Sequence, residues 1–363
     1  MQKQTPFVFG GVFFVLLKIE NDCIFMLQEN VSLRSLNTFG LDCTAKHYAW
    51  IRKTEDLFVV LASSAFQNRN DLLVLGGGSN ILLTHALFDG FVLHMQTKGI
   101  TCIEENERRV RISVAAGEIW EDFVAYCVNK GWGGIENLAA IPGTVGAAPI
   151  QNIGAYGVEV KDAVAEVHAV EVASGHAKIF HPSECHFGYR QSIFKQQRGK
   201  YIVTEVVFEL NKQPSLQLTY GAISEELNRM NAVSPSIKDV SKAVTHIRNA
   251  KLPDYKLLGN AGSFFTNPVV PNSEYERLKQ CYPSLSSFPA GKDHRKISAG
   301  WLIENAGWKG KRLGNVGMYE KQALILVNYG NASAENIIEL CNRVIQDVEN
   351  KFGIRLESEV NRY

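Results

Sequence analysis

Two glycine-rich tracts carry the first chemical signal in this sequence. The shorter is Gly76-Gly77-Gly78-Ser79-Asn80, entered from the apolar run 72–75 and left through Ile81-Leu82-Leu83. The longer covers residues 133–157 and is built mostly of glycine, alanine and small polar residues, with almost no charge. Such stretches let backbone approach a ligand closely and turn N–H groups towards phosphate oxygens. A tight turn system inside a core has the same composition. Two such tracts about sixty residues apart favour a nucleotide cofactor. Neither common nucleotide motif fits. GxGxxG has to open a helix, whereas here its third glycine position is Ile81 and the flanking apolar runs are too short for helices. The reading is strand–loop–strand, and the P-loop pattern is absent.

The other elements have to position these loops. Residues 109–114 alternate polar and apolar, as do 164–172 and 201–210, which is the period of a half-buried strand. Residues 90–95 read as a buried strand. Thr54 can cap a helix whose first turn carries Glu55 and Asp56. Residues 118–130 have helical spacing and stop at Gly131. The last third changes character, with helices expected over 237–251, 273–281, 297–306 and 334–352 and a buried strand over 322–328. In the last helix Ile337, Cys341, Val344, Val348 and Phe352 share one face, and Gly353 can end it. Beyond it residues 354–360 alternate, which predicts a strand with Arg355, Glu357 and Glu359 on one side.

Composition bounds the function. The chain has 363 residues, 38 Lys plus Arg against 37 Asp plus Glu, and 45% apolar residues. A disordered or collagen-like chain is excluded, and a net charge of +1 gives no overall field to attract a nucleic acid. The length suits two or three domains. The seven cysteines are odd in number and form no CxxC pair, which argues against a disulfide framework or a zinc site and fits a reducing, cytoplasmic setting. His181, Cys185 and His186 are the nearest thing to a ligand cluster, but a second pair is missing, so no metal is expected. Residues 7–17 are apolar or glycine, too few for a spanning helix. They imitate a signal-peptide core, yet residues 18–23 offer no small-residue cleavage site. The favoured reading is an extra segment, 1–25, outside the fold, with the functional chain starting at Met26.

Five motifs then occur in series: LGGGSN (75–80), GIENLAAIPGTVGAAPIQNIGAYGVE (134–159), FGYR (187–190), GSFFTNP (262–268) and LESEV (356–360). Together, over about residues 33–361, they resemble the UDP-N-acetylenolpyruvoylglucosamine reductase family, flavoenzymes of peptidoglycan precursor synthesis. LTYG at 218–221 resembles the tyrosine loop of its longer subclass. The resemblance implies an α+β fold: an FAD-binding fold of the vanillyl-alcohol-oxidase (PCMH) type with a separate substrate-binding domain. The expected divisions are flavin subdomains at 26–95 and 96–225, a substrate domain at 226–350, and a C-terminal strand at 351–363 returning to the active site.

The chemistry implied is hydride transfer from NADPH to FAD, then from the flavin to the enolpyruvyl group of UDP-N-acetylglucosamine enolpyruvate. Arg190 would stabilise the resulting negative charge, since a guanidinium can fork onto a carboxylate. Without its motif it reads as a surface ion-pair arginine. Ser263 would donate the quenching proton, a role that suits serine only against a strongly basic enolate. Glu359 would stand beside the arginine, and near an anion its carboxyl is expected to hold a proton more tightly. Glu357 is the decoy. The family match gives the cofactor-binding backbone as Gly76, Gly77, Gly78, Ser79 and Asn80 together with Ile141, Pro142, Gly143, Thr144 and Gly146. No histidine or cysteine lies in either loop, so non-covalent FAD is expected. Tyr156, Tyr220, Lys251 and Asn267 are the implied substrate contacts. The partner is this small-molecule substrate, with no nucleic acid or membrane, acting on a monomer. A flavin-dependent alcohol or sugar oxidase of the same fold is the alternative enzyme, and a non-catalytic flavin or nucleotide module is the alternative of another class.

Overall fold

Alternating burial along the strands and left-handed glycines at helix ends divide this chain much as its pattern suggests. The computed structural model describes residues 4–9, 12–19 and 23–363, with side chains from residue 27 onward. Two compact units emerge, each discontinuous in sequence. Met1–Ser32, Thr44–Gly77 and Leu87–Ala250 form the first, and Leu33–Cys43, Gly78–Ala86 and Lys251–Tyr363 the second. The boundary expected at 225 therefore falls at 250. The reason is packing: Ile223 and Leu227 of helix Gly221–Arg229, and Val240, Val244 and Ile247 of helix Ile237–Lys251, are buried in the core of the first unit.

The first unit holds two main sheets. One has the strand order Gln4–Phe9, Val12–Ile19, Cys23–Ser32, Thr44–Ile51, Leu87–Met95, Leu72–Leu75. The pairs involving Leu87–Met95 are parallel, and parallel neighbours need a crossover. Helices Thr54–Leu61 and Ser64–Gln67 supply it and bury Leu57, Val60 and Phe66 against Phe91 and Leu93. Thr54 is the first helical residue rather than the cap. Lys53 is the N-cap, and the Asp56 carboxylate accepts from the N–H groups of Arg52 and Lys53, each at 2.9 Å. The expectation that residues 1–25 stand outside the fold lies partly beyond the described residues. What is described differs from it, because Gln4–Phe9 pairs with Val12–Ile19 and Val12–Ile19 with Cys23–Ser32. Valine- and phenylalanine-rich sequence favours such extended chain.

The second sheet of this unit is antiparallel throughout, in the order Ala177–Phe180, Val164–Glu171, Tyr201–Asn211, Arg109–Ala115, Ile100–Glu105. Val110, Ile112 and Val114 point into the core, as the alternation predicts. Helix Trp120–Lys130 lays Trp120, Phe123, Val124 and Cys127 into the same core and stops at Gly131, whose φ is 79°.

The second unit has a four-stranded sheet in the order Gly259–Ser263, Ile325–Asn328, Val316–Met318, Arg312–Leu313 and a three-stranded one of Val269–Pro271, His294–Ile297 and Ser287–Pro289. Helix Ala334–Phe352 buries the expected face and ends at Gly353, φ 70°. Residues 354–360 do not form the expected regular strand. Their one bridge is Ser358 to Phe265, and the strand comes later, where Asn361–Arg362 pairs in parallel with Ile81–Leu82. Alternation predicted Glu359 on the same side as Glu357. Instead Glu357 is exposed and Glu359 buried, because the chain turns off its two-residue period to bury both Glu359 and Val360. No helix among the described residues is long and apolar enough to cross a membrane.

The excursion Leu33–Cys43 is held by one buried side chain. Asn37 Nδ2 donates to the carbonyls of Leu33 (2.8 Å) and Leu41 (3.0 Å), and its Oδ1 accepts from the N–H of Leu41 at 3.0 Å. Asn37→Ala leaves these buried groups without partners, each such loss costing about 1–3 kcal/mol. Urea unfolding is expected to show a destabilisation of roughly 2–4 kcal/mol, and a variant as stable as the parent would show that water replaces the amide.

Candidate active site

The two glycine tracts meet in the first unit. A Cβ added at Gly76 would run into the Thr144 hydroxyl, and one at Gly77 would lie 3.0 Å from Gly143 Cα. Only glycine lets these backbones pass so closely. The far side of the longer tract is fixed by backbone bonds: Trp120 N–H to Gly143 O at 3.1 Å, Val145 N–H to Glu118 O at 2.8 Å and Gly146 N–H to Ala116 O at 2.9 Å. Gly146 thus serves the packing of the loop, since its N–H is taken and a Cβ there would strike Ala116. Ile141, Pro142, Gly143 and Thr144 are only half-buried, so this edge can face a ligand.

The rest of the shorter tract belongs to the second unit. Gly78 has φ 62°, and its carbonyl accepts the N–H of Thr38 at 3.1 Å and the Thr38 hydroxyl at 3.3 Å. The Asn80 carbonyl accepts from the backbone N–H of Asn361 (3.1 Å) and from its Nδ2 (3.2 Å). Tyr363 O in turn receives the N–H and hydroxyl of Thr84. Protein groups thus engage carbonyls of this loop.

Two expected residues of the first unit, Tyr156 and Arg190, sit on unusual backbone. Ala140, Tyr156, His186 and Arg190 have φ between 47° and 56°, and the other non-glycine residues with positive φ are all asparagines, which tolerate it. Strained backbone concentrates where function over-determines it. The rings of Tyr156 and Tyr220 meet edge to face with centroids 5.3 Å apart. Asn137, fully buried, ties their loops together: its Nδ2 donates to Tyr156 O at 3.1 Å and Gln217 O at 3.0 Å. Its Oδ1 is buried and lacks a hydrogen-bond partner among the described residues. An orphaned acceptor on the side chain that holds the Tyr156 loop is what a polar ligand would satisfy.

Arg248 is a site residue that sequence reading missed. Its Nε donates to Ala140 O at 3.1 Å, and its guanidinium hydrogen-bonds Tyr156. Burial pushes the Tyr156 phenol above its ordinary range, and Arg248 pulls the other way. Burial also lowers the Arg248 pKa, opposed by Tyr156 and Glu121. The available signal was its place on helix Ile237–Lys251, three residues before Lys251 and so on the same face. Arg190 is fixed rather than waving in solvent: its guanidinium donates to Gly154 O at 2.8 Å and lies over the Tyr189 ring, 5.3 Å from its centroid.

The segments that carry Ser263 and Glu359 run side by side in the second unit. Between Asn260, opposite Val327, and Ser263, opposite Ile325, the strand carries an extra residue. Gly262, φ 69°, forms this bulge, its N–H bonded to Asn260 Oδ1 at 3.0 Å. Bulges re-aim side chains, and Ser263 emerges exposed next to the fully buried Phe264 and Phe265. The Glu359 N–H donates to Phe264 O at 2.8 Å, and the Thr266 N–H to Glu357 O at 3.0 Å. The serine and the buried carboxyl are therefore carried on adjacent extended segments. Lys251 is exposed. The Asn267 Oδ1 accepts the Ala299 N–H at 2.9 Å and helps start helix Ala299–Asn305.

Comparison with known proteins decides the family. A family model for an FAD binding domain matches residues 45–180, and one for the UDP-N-acetylenolpyruvoylglucosamine reductase C-terminal domain matches residues 253–363. The reductase of that name from Flavobacterium johnsoniae is 43% identical over 338 residues, covering 92% of this chain and 99% of the relative. That of Bdellovibrio bacteriovorus is 45% identical over 338 residues, with 93% and 99% covered. The chain belongs to the UDP-N-acetylenolpyruvoylglucosamine reductase family. The crystal structure of the reductase from Thermus caldophilus aligns with a TM-score of 0.65 and 25% identity, over 94% of this chain and 100% of the other. The expected fold class, a mixed α+β chain with an FAD-binding domain, is borne out, as is the expected class of enzyme, an FAD- and NADPH-dependent oxidoreductase of peptidoglycan precursor synthesis. In this reductase chain Gly77→Ala adds a methyl group where the two tracts touch. The variant is expected to retain flavin about tenfold less tightly, a loss of about 1.4 kcal/mol, read as flavin-to-protein absorbance after dilution. Unchanged retention would show that the cradle can widen freely.

Proposed function

We propose that this chain reduces UDP-N-acetylglucosamine enolpyruvate to UDP-N-acetylmuramate with NADPH, and that Arg190, Ser263 and Glu359 carry the protein's share of the chemistry. The observation that carries this reading is the pairing in the second unit, where a glycine bulge exposes Ser263 beside the segment that buries Glu359. Gly76 and Gly77 with residues 141–144 would hold FAD, which the cradle and the orphaned Asn137 oxygen suit. When bound, FAD supplies the redox chemistry, taking hydride from NADPH and passing it to the enolpyruvyl methylene carbon.

Each protein group then has a defined task. Hydride addition to the substrate leaves negative charge spread onto its carboxylate. Arg190 answers that charge with a guanidinium aimed by Gly154. Glu359, out of bulk water, stabilises the same charge as a hydrogen-bond donor. Ser263 delivers the proton to the adjacent carbon, where a short, exposed hydroxyl on a bulge can reach a bound substrate. Tyr156 and Tyr220 flank the nucleotide-bearing part, Lys251 offers charge to the diphosphate, and Asn267 contributes whatever its amide nitrogen can reach.

We further propose a cytoplasmic monomer. The six described cysteines are all free, as suits a reducing compartment. The oxidase alternative lacks an equivalent use for a serine beside a buried carboxyl.

Purified protein is expected to be yellow, with NADPH oxidation accelerating only when the enolpyruvyl substrate is added. Colourless protein, or oxygen-dependent turnover of an alcohol, would overturn the reading. Ser263→Ala should keep flavin reduction by NADPH and slow the following half-reaction by about 10²–10⁴-fold, as stopped-flow absorbance reports. Equal loss in both halves would point to damage elsewhere. Glu359→Gln is expected to impair that half-reaction far more than Glu357→Gln, and the reverse order would reassign the carboxyl.

A further inference from the structure

We infer that Asn152 is the positioning residue that sets Arg190, and that Gly154 is left bare to make room for the guanidinium. The inference rests on the assignment of Arg190 to the substrate carboxylate. Asn152 is fully buried and has φ 46°. Its one side chain makes three bonds. Nδ2 donates to Gly188 O and to Glu159 Oε2, each at 3.0 Å, and Oδ1 accepts the Lys161 N–H at 3.1 Å.

Gly188 is the near end of the turn that carries Arg190. Gly188 and Gln191 exchange both backbone hydrogen bonds, at 3.0 and 3.1 Å, so Tyr189 and Arg190 occupy its tip. Arg190, the second tip residue, has φ 55°, at a turn position that normally takes glycine or asparagine. An arginine there is held against local strain of about 1–2 kcal/mol. Lys195 Nζ donates to the Arg190 carbonyl at 3.1 Å, and two further fastenings come from one short loop. Asn152 grips the turn at Gly188, and Gly154, two residues on, takes the guanidinium on its carbonyl at 2.8 Å.

Gly154 has little room to spare. A Cβ there would lie 3.0 Å from Glu159 Cγ, 3.1 Å from the Val158 carbonyl oxygen and 3.2 Å from Arg190 Nη1. Glu159, the second acceptor of the Asn152 amide, is itself fixed by Lys161 Nζ at 2.8 Å, and this bond raises the Lys161 pKa. The planar amide is the right group for the task, since it combines two donors with one acceptor and tolerates positive φ. Aspartate would keep the shape and lose both donors.

The test compares the two half-reactions, with NADPH and the enolpyruvyl substrate as probes. Asn152→Asp, Asn152→Ala and Gly154→Ala are each expected to slow the substrate half-reaction by about 10- to 100-fold, the scale of a small misplacement of a reacting group. Flavin content and the rate of flavin reduction by NADPH should stay at parent values. In an Arg190→Lys background Asn152→Ala should add almost nothing, because the residue it positions is already gone. Normal substrate half-reactions in all three variants would overturn the inference. So would parallel loss of flavin and of both half-reactions in the Asn152 variants while Gly154→Ala behaves like the parent, which marks Asn152 as merely structural. If Arg190→Lys alone leaves the substrate half-reaction intact, the reading of Arg190 fails, and this inference fails with it.

Discussion

The join between the two glycine tracts depends on two backbones passing within van der Waals contact. Gly77 lies against Gly143, and Gly76 against Thr144, with no side chain between them. A closed contact of this kind fixes more than two loops. The shorter tract continues directly from strand Leu72–Leu75, and residues 143–146 of the longer are bonded to residues 116–120 at the start of helix Trp120–Lys130. The mixed sheet and the antiparallel sheet of the first unit are thereby tied together through bare backbone. Hydrophobic burial supplies most of the stability in each layer, but glycine's missing Cβ sets how the layers are joined.

The sequence made some of this legible and hid the rest for physical reasons. Helix Ile237–Lys251 was expected over the same residues, because its apolar spacing has a single solution. Helix Ala334–Phe352 was equally plain. The structure sets Glu359, buried, apart from Glu357, exposed, where alternation placed both on one side. A two-residue period holds only while a ladder enforces it, and here the ladder is one bridge at Ser358. Arg248 and Asn137 were invisible. Their roles lie in bonds to Ala140, Tyr156 and Gln217, which are distant in sequence and carry no pattern. The unit boundary was misplaced for a related reason. Helices read as the opening of a new domain pack their apolar faces backwards, onto the core already formed.

Charge tells a parallel story. A net charge of +1 looks indifferent to polyanionic ligands, but the relevant cations are not spread evenly. Arg248 is buried beside Tyr156, Arg190 is held by Gly154, and Lys251 stands exposed at the start of the second unit's longest stretch. A desolvated cation interacts more strongly than a solvated one. Few charges, well placed, can therefore weigh more locally than the net charge suggests.

The bond between Asn361 and Asn80 bears on how the chain matures. Its two partners are 281 residues apart, so the loop at 78–84 receives its last partners only when residues 361–363 have left the ribosome. Contacts of such long range form late and slowly. The loop is fixed by closure of the second unit rather than by its own neighbours, so its order reports on the folding of that unit as a whole.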